Sequence, residues 1–342
     1  MQLAFSNEYT SASDPGNERK LFPCDLVSLS RTLRVFRIEM VLLDSAAPRA
    51  FIKTRTQGDS LICSAECAFP LRGRFSMPAE WFLFGYIHHA GENSWCHAIP
   101  LASDTLFTVM AGHTADFTFT AGTRVTVALL PAARLRESLA RLDPLQVDVD
   151  GLSSLLRLSE VKKGDQLRQA HKDIWRQMTN LSLAGLDPAR PMVDTDLESL
   201  LDIHLENCLG AARNDISNCS RSRRRHYQIV LRTEEFMRAN LSNDIYIANM
   251  CDAAETSERA LRYAFDDLMG ISPIRYLSML RLCMARRNLS SSDMSRHSVK
   301  SVAMNCGLRD LSRFAESYRR IFGELPHDTL LRPAPGNAFP MN

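Results

Sequence analysis

The chain has 342 residues, 45% of them hydrophobic and 23% charged, with a net charge of +2. That length suits two domains, and no run of about 18 apolar residues reads as a membrane span. The N-terminus lacks the charged-then-apolar pattern of a secretory leader, so none is expected.

The 9 cysteines are odd in number and scattered. Cys63 and Cys67 form the close pair, and no second pair matches them as a zinc site would require. Reduced thiols in a cytoplasmic protein, with no cofactor and no metal, are expected. Charge is placed unevenly: residues 221–342 hold 19 Lys and Arg against 13 Asp and Glu, and the remainder holds 22 against 26. A basic C-terminal part beside an acidic N-terminal part fits nucleic-acid binding by one end.

Residues 1–20 read as a flexible polar lead. Over 21–145 the texture is β. RTLRVFRIEMVLL, EWFLFGYIHH, DTLFTVMAGHTADFTFT and TRVTVALLP are short apolar or alternating runs rich in Val, Ile, Phe and Thr. Turn residues separate them at Gly58-Asp59, Gly73, Gly91-Glu92-Asn93, Gly112 and Gly122. Many short strands so spaced predict a sandwich or barrel. From Leu135 onward PAARLRESLARL, SSLLRLSEVKKGDQLRQAHKDIWRQM and DTDLESLLDIHLENCLGAA read as helices, the last two in a helical region over 146–212. In the last, Leu197, Leu200, Leu201, His204 and Leu205 share a face. That face either closes the first domain or pairs two monomers. Residues 213–225, RNDISNCSRSRRR, read as a basic linker whose RSRRR could meet phosphates or stay solvated. A helix over His226–Asn240 opens a final domain spanning 226–332, followed by a tail over 333–342.

Inside that domain one pattern occurs twice. TSERALRYAFDDLMGISP starts at Thr256 and RDLSRFAESYRRIFGELP at Arg309; aligning Gly270 with Gly323 gives an offset of 53 residues. Leu261, Ala264, Phe265 and Leu268 make one apolar stripe, and Phe314, Tyr318, Ile321 and Phe322 the other, both at the 3.6-residue period. Ser257 and Asp310 are N-caps, and Gly270 and Gly323 are C-terminal stops. Short helices precede each, near 247–254 and 299–305. A further helix starts at Ser272-Pro273 and runs to about Leu289. At 1.5 Å per residue it forms a rod of roughly 25 Å. Such a rod could hold two helix-turn-helix units near one DNA turn apart, about 34 Å.

SERALRYAFDDLMGISPIRYL, RLCMAR and SVKSVAMNCGLRDLSRFAESYRRIFGELP resemble the AraC/XylS family of bacterial transcription regulators, over about the last 110 residues. The resemblance implies an α+β chain: an N-terminal β-rich, jelly-roll-like sensing domain with a helical extension, then an all-α double helix-turn-helix domain. It implies double-stranded DNA, RNA polymerase and a small-molecule effector as partners, a homodimer as an open alternative, and activation as the commoner mode. By position, Glu258, Arg259, Arg262 and Tyr263 in the first unit should face DNA, with Arg309, Ser312, Arg313 and Glu316 in the second. An arginine fork suits the two major-groove acceptors of guanine. Two positions depart from the family: Glu255 stands where the first turn usually has Gly, and Leu308 where an aromatic commonly follows the second turn's Gly307. A non-Gly residue at positive φ costs on the order of 1 kcal/mol, so a strained first turn is expected.

Other chemistry is weaker. Gly58-Asp59-Ser60-Leu61 spells the tetrapeptide of a lipase and esterase family, but no Asp-x-x-His partner follows. No Gly-x-Ser-x-Gly, His-Glu-x-x-His or P-loop motif occurs. His88, His89, His97 and His113, with Glu92 nearby, fall in the β region. Adjacent His88 and His89 should point to opposite faces of a strand, which argues against a shared metal. Trp81 and Trp95 read as core residues before ligand-box residues. The competing classes are an enzyme built on the β domain and a DNA-binding protein that answers to a partner or to its own abundance.

Overall fold

The structure is a computed structural model and describes residues 18–21, 37–44, 50–142, 155–157, 164–180, 196–212, 219–291 and 298–332. The expected lead up to residue 17, the linker residues 213–218 and the tail 333–342 lie outside the described residues.

The N-terminal part is built from β1 (Glu18–Leu21), β2 (Arg37–Leu42), β3 (Ala50–Gln57), β4 (Ser60–Cys67), β5 (Leu71–Ser76), β6 (Trp81–His89), β7 (Trp95–Cys96), β8 (Ile99–Pro100), β9 (Thr105–Val109), β10 (Thr114–Phe119), β11 (Thr123–Pro131) and β12 (Leu155–Arg157). They form a 7-stranded sheet in the order β1-β3-β4-β11-β6-β9-β12 and a 5-stranded sheet in the order β2-β5-β10-β7-β8. The pairings are antiparallel. Three helices follow: α1 (Ala132–Leu142), α2 (Gly164–Asn180) and α3 (Leu197–Ala212).

The apolar runs are continuous because the larger sheet is buried on both faces. Along β6, Phe82, Phe84 and Tyr86 join Leu135, Leu167, Ile174, Leu201 and Leu205 in a core under the three helices. Leu83 on the other face joins Leu71, Phe75, Ala115 and Phe117 between the sheets. The Leu197, Leu200, Leu201, His204, Leu205 face of α3 is buried in the first of these cores, so it closes the domain. Leu155–Arg157, which helical periodicity assigned to a helix, instead pairs with β9 as a strand. Gly73, read as a turn, lies inside β5 opposite Phe117. A Cβ there would sit 2.1 Å from the Phe117 ring, so the glycine makes room for an aromatic on the neighbouring strand.

The C-terminal part is helical: α4 (Arg221–Ala239), α5 (Ile247–Ala253), α6 (Glu258–Met269), α7 (Pro273–Ser291), α8 (Val299–Asn305), α9 (Leu311–Phe322) and α10 (Pro326–Leu331). The α4 helix starts inside the stretch expected as linker, because Ser220 caps it by accepting from the Arg223 amide at 3.2 Å. The layers therefore run from α1–α3 through the larger sheet and the smaller sheet to the C-terminal helices. The outward face of the smaller sheet packs on α4, α6 and α7, within one continuous apolar cluster.

Candidate nucleic-acid interface and a cavity between the sheets

Two helix-turn-helix units are present, α5–α6 and α8–α9. Their second helices form for the reasons the sequence implies. Ser257 accepts from the Ala260 amide at 3.3 Å, and Asp310 accepts from the Arg313 amide at 2.9 Å. Gly270 and Gly323 close them in the left-handed region, at φ 65° and 75°. Leu261, Phe265 and Leu268 are buried on α6, and Phe314, Tyr318 and Ile321 on α9. Each such side chain contributes about 1.5–3 kcal/mol by burial, against roughly 1 kcal/mol for a cap, so packing fixes which face looks out.

The turns differ as the residues require. Glu255 adopts φ 51° and Gly307 φ 71°. Both turns carry the same backbone bond, Thr256 to the Cys251 carbonyl and Leu308 to the Ala303 carbonyl. The first turn is open and Glu255 pairs with Arg232 at 2.8 Å. The second is crowded: a Cβ on Gly307 would lie 2.2 Å from the Leu241 carbonyl oxygen and 2.9 Å from the Arg281 guanidinium. From turn to cap the second unit has one residue more than the first, and this places Arg309 in the connection before α9.

Glu258, Arg259, Arg262 and Tyr263 are exposed on α6, and Arg309, Ser312, Arg313 and Glu316 are exposed at α9. The two sets are not equally ready. On α6, Arg262 is forked onto Glu258 at 2.5 and 2.9 Å, and the Arg259 guanidinium stands 5.5 Å over the Tyr263 ring. Arg309 meets Asp244 at 3.4 Å. The Arg313 side chain has no ion-pair partner among the described residues, and Arg319 and Arg320 are exposed on the same helix. The α9 face is thus the more cationic and the less internally engaged.

The α7 rod holds the units together. Arg286, almost fully buried, donates to the Tyr318 hydroxyl at 3.1 Å and to Thr329 at 2.5 Å, and pairs with Glu324. Burial works against the Glu324 carboxylate, but Arg286, Thr329 and Arg332 together reverse it and the net effect lowers its pKa. This charged clasp ties α7 to α9 and α10.

A cavity of about 280 Å³ lies between the two sheets of the N-terminal domain. Phe75, Phe107, Phe117, Phe119, Leu101 and Met110 line it, with His97 and His113 as its polar groups beside Thr108 and Thr114. No Lys, Arg, Asp or Glu lines it. Burial lowers the His97 pKa, which keeps the ring neutral. Trp95 does not line the cavity; it faces the C-terminal helices.

The remaining candidates fall elsewhere. Ser60 opens β4 and bonds to the adjacent Asp59 at 3.1 Å. His88 is half-buried against Thr126 while His89 is exposed. Among the described residues no three His, Cys, Asp or Glu side chains gather as metal ligands, and no helix is long and apolar enough to cross a membrane.

Sequence reasoning passed over a charged cluster between the domains. Arg72 on β5 forks onto Glu234 of α4 at 2.9 and 3.2 Å and reaches Asp116 of β10 at 2.8 Å. Arg74 also binds Asp116, at 2.9 Å. Burial alone would raise the Asp116 and Glu234 carboxyls, but Arg72, together with Arg74 at Asp116 and with Arg238 and Tyr276 at Glu234, reverses it and both are lowered. The available signal was Glu234 itself, sitting in the stripe Tyr227, Val230, Glu234, Met237, all buried. A carboxylate at such a position requires a partner.

Two capped, outward-facing second helices on one clasped frame define a double helix-turn-helix DNA-binding domain. A family profile described as a helix-turn-helix domain matches residues 250–332. The XylDLEGF operon transcriptional activator 2 of Pseudomonas putida is 35% identical over 99 residues, 29% of this chain and 63% of that protein. The HTH-type transcriptional activator RhaS of Pectobacterium carotovorum is 31% identical over 91 residues, 27% of this chain and 32% of that protein. A crystal structure of a probable AraC family transcriptional regulator from Rhodopseudomonas palustris is 32% identical, spans 30% of this chain and 94% of its own, and has a TM-score of 0.27. The chain thus spans 63% and 30% of the lengths of two Pseudomonas putida activators it matches. The C-terminus thus carries an AraC-type helix-turn-helix domain, similar in sequence to those of XylS/AraC family regulators.

Proposed function

We propose that the protein is a cytoplasmic, sequence-specific regulator of transcription that binds double-stranded DNA and acts as an activator through RNA polymerase. The observation that carries this reading is the pair of exposed reading faces held on one α7 frame. Glu258, Arg259, Arg262 and Tyr263 would enter one major groove, and Arg309, Ser312, Arg313 and Glu316 the next. The cavity between the sheets would take the effector. Its aromatic walls and the neutral His97 suit an apolar, uncharged or weakly hydrogen-bonding molecule; a full charge would be left without an acidic or basic counter-ion in the lining. Names of relatives that include transcriptional activators support the direction of control.

The test is a mobility shift of the full chain on its own upstream DNA against random competitor, beside an Arg262→Ala, Arg313→Ala double variant. Preference for the specific fragment in the wild type, lost in the variant, is the expected result. A preference that survives the double change refutes the assigned reading faces. Thermal shift with a panel of small apolar and aromatic compounds, run with a product assay, tests the cavity. Stabilisation without turnover separates an effector site from an enzyme built on the same sheets.

A further inference from the structure

The smaller sheet has two working faces. Phe75, Ala115, Phe117 and Cys96 point from β5, β10 and β7 into the cavity. Their immediate neighbours point the other way, because side chains alternate along a strand. Arg72, Asp116, Thr118 and Trp95 therefore meet the DNA-binding domain. The Trp95 indole donates to the Leu268 carbonyl at 2.7 Å, satisfying a carbonyl in the last turn of α6 that has no partner within the helix. The Thr118 hydroxyl approaches the Met269 sulfur at 3.9 Å. Tyr276 of α7 donates to Glu234, the same carboxylate that Arg72 forks. The contacts thus reach α4, α6 and α7, the three helices that frame the first unit, while the reading residues at the start of α6 stay exposed.

One residue belongs to both faces. His97 lines the cavity, and its Nδ1 bonds to the Tyr227 hydroxyl of α4 at 3.2 Å. That hydroxyl donates in turn to Asp116 at 3.2 Å, so His97 supplies the N–H. His97 and Ala98 are the two loop residues of the β7–β8 hairpin, at φ 47° and 65°, the positive φ at both positions that a tight two-residue turn requires. The same turn meets the other domain: the Ala98 carbonyl accepts from Arg223 Nε at 2.9 Å.

We propose that Arg72, Asp116 and Glu234 form a latch that positions the first helix-turn-helix unit on the N-terminal sheet, and that His97 is where the contents of the cavity act on that latch. The proposal rests on the reading of the chain as a DNA-binding regulator. Arg72, Asp116 and Glu234 are positioning residues, since none would touch DNA. A forked guanidinium has one register, unlike an apolar contact that can slide. With both reading faces exposed, the latched arrangement is the DNA-competent one, and holding it in advance spares ordering cost on binding.

The test uses the full chain without any effector. Glu234→Gln keeps the shape and removes the charge; Tyr227→Phe, a milder change, removes the hydroxyl linking His97 to Asp116. Folding is checked by circular dichroism and melting. Docking is read from the Trp95 indole resonance, assigned with Trp95→Phe. Binding is read on the upstream fragment and on random DNA. The expected result for Glu234→Gln is a folded protein with a shifted Trp95 resonance. Its affinity for the specific fragment should fall at least fivefold, and that for random DNA less than twofold. A merely structural role would weaken both DNAs together, and that result overturns the proposal, as does an unmoved Trp95 resonance or unchanged specific affinity. Should Glu234→Gln not fold, Tyr227→Phe decides on the same readouts. Wild type without preference for any fragment would refute the regulator reading itself, and the positioning role with it, while the docking readout would stand separately.

Discussion

The two turns carry opposite solutions to one backbone problem, and this makes a sharp experiment. Gly307→Ala places a Cβ at φ 71°, 2.2 Å from the Leu241 carbonyl oxygen. The left-handed conformation costs an L residue about 1–2 kcal/mol. The overlap with backbone, which cannot swing away as a side chain would, adds roughly 1–3 kcal/mol. The reduced freedom of the unfolded chain returns about 0.4–1 kcal/mol, leaving a net loss of about 1–4.6 kcal/mol. Glu255→Gly is the mirror change. It relieves the same conformation at φ 51° where the space is open, and gives up only the exposed Arg232 pair, which is worth little. The expected outcome lies between neutral and about 1 kcal/mol more stable. Amide hydrogen exchange of α5–α6 and α8–α9 in the full chain measures the two local stabilities separately. A loss below about 1 kcal/mol for Gly307→Ala, or equal losses for both changes, would refute the reasoning.

Three further outcomes are expected. Arg313→Ala should cost about 1–3 kcal/mol on the specific fragment and much less on random DNA if its fork reads a guanine; titration on both DNAs checks it, and equal losses would remove its base-reading role. His171 and His204 are fully buried, and burial holds His171 well below its usual pKa and His204 at about 3. Both stay neutral in the fold while the unfolded chain binds protons below about pH 6.5, so stability is full above that pH and falls below it by about 1.4 kcal/mol per pH unit per histidine. Melting from pH 7.5 to 5 reads the slope, and His171→Leu, which abandons no hydrogen bond among the described residues, should flatten it. Finally, Gly73→Ala should drive the Phe117 ring into the cavity and abolish any compound-induced thermal shift seen in the wild type; a shift that persists would place the ligand elsewhere.

The C-terminal domain was legible because its signals are local and agree. Caps, stops and stripes occur twice at one offset, and each alone predicts the same helix ends. The expectation that Glu255 strains the first turn follows from one residue and matches its left-handed φ. The long strands were legible as β texture, but not their two-faced burial. Leu155–Arg157 shows the limit: three residues that could sit on a helix are a strand because β9 offers an unpaired edge, a tertiary fact. The Arg72–Glu234 fork spans 162 residues of sequence. No period or spacing joins the two, and only the odd carboxylate in an apolar stripe hints that a cation must arrive.

That the domains meet through charge as well as apolar surface has a thermodynamic consequence. A buried ion pair seldom adds net stability over apolar packing, but losing one partner is costly, so such a contact is made fully or broken. Here the broken state would also cost the bonds from Tyr227 to His97 and Asp116. An element with two discrete arrangements, touched by a cavity on one side and a DNA-binding unit on the other, is what coupling between sites requires. Coupling of this kind is reciprocal: a molecule in the cavity that changes DNA affinity by some factor must see its own affinity change by the same factor when DNA is bound. Measuring one compound's affinity with and without the specific fragment, in the wild type and in Tyr227→Phe, therefore tests the route through the sheet. A coupling factor left unchanged by Tyr227→Phe would mean that it does not pass through His97 and the latch.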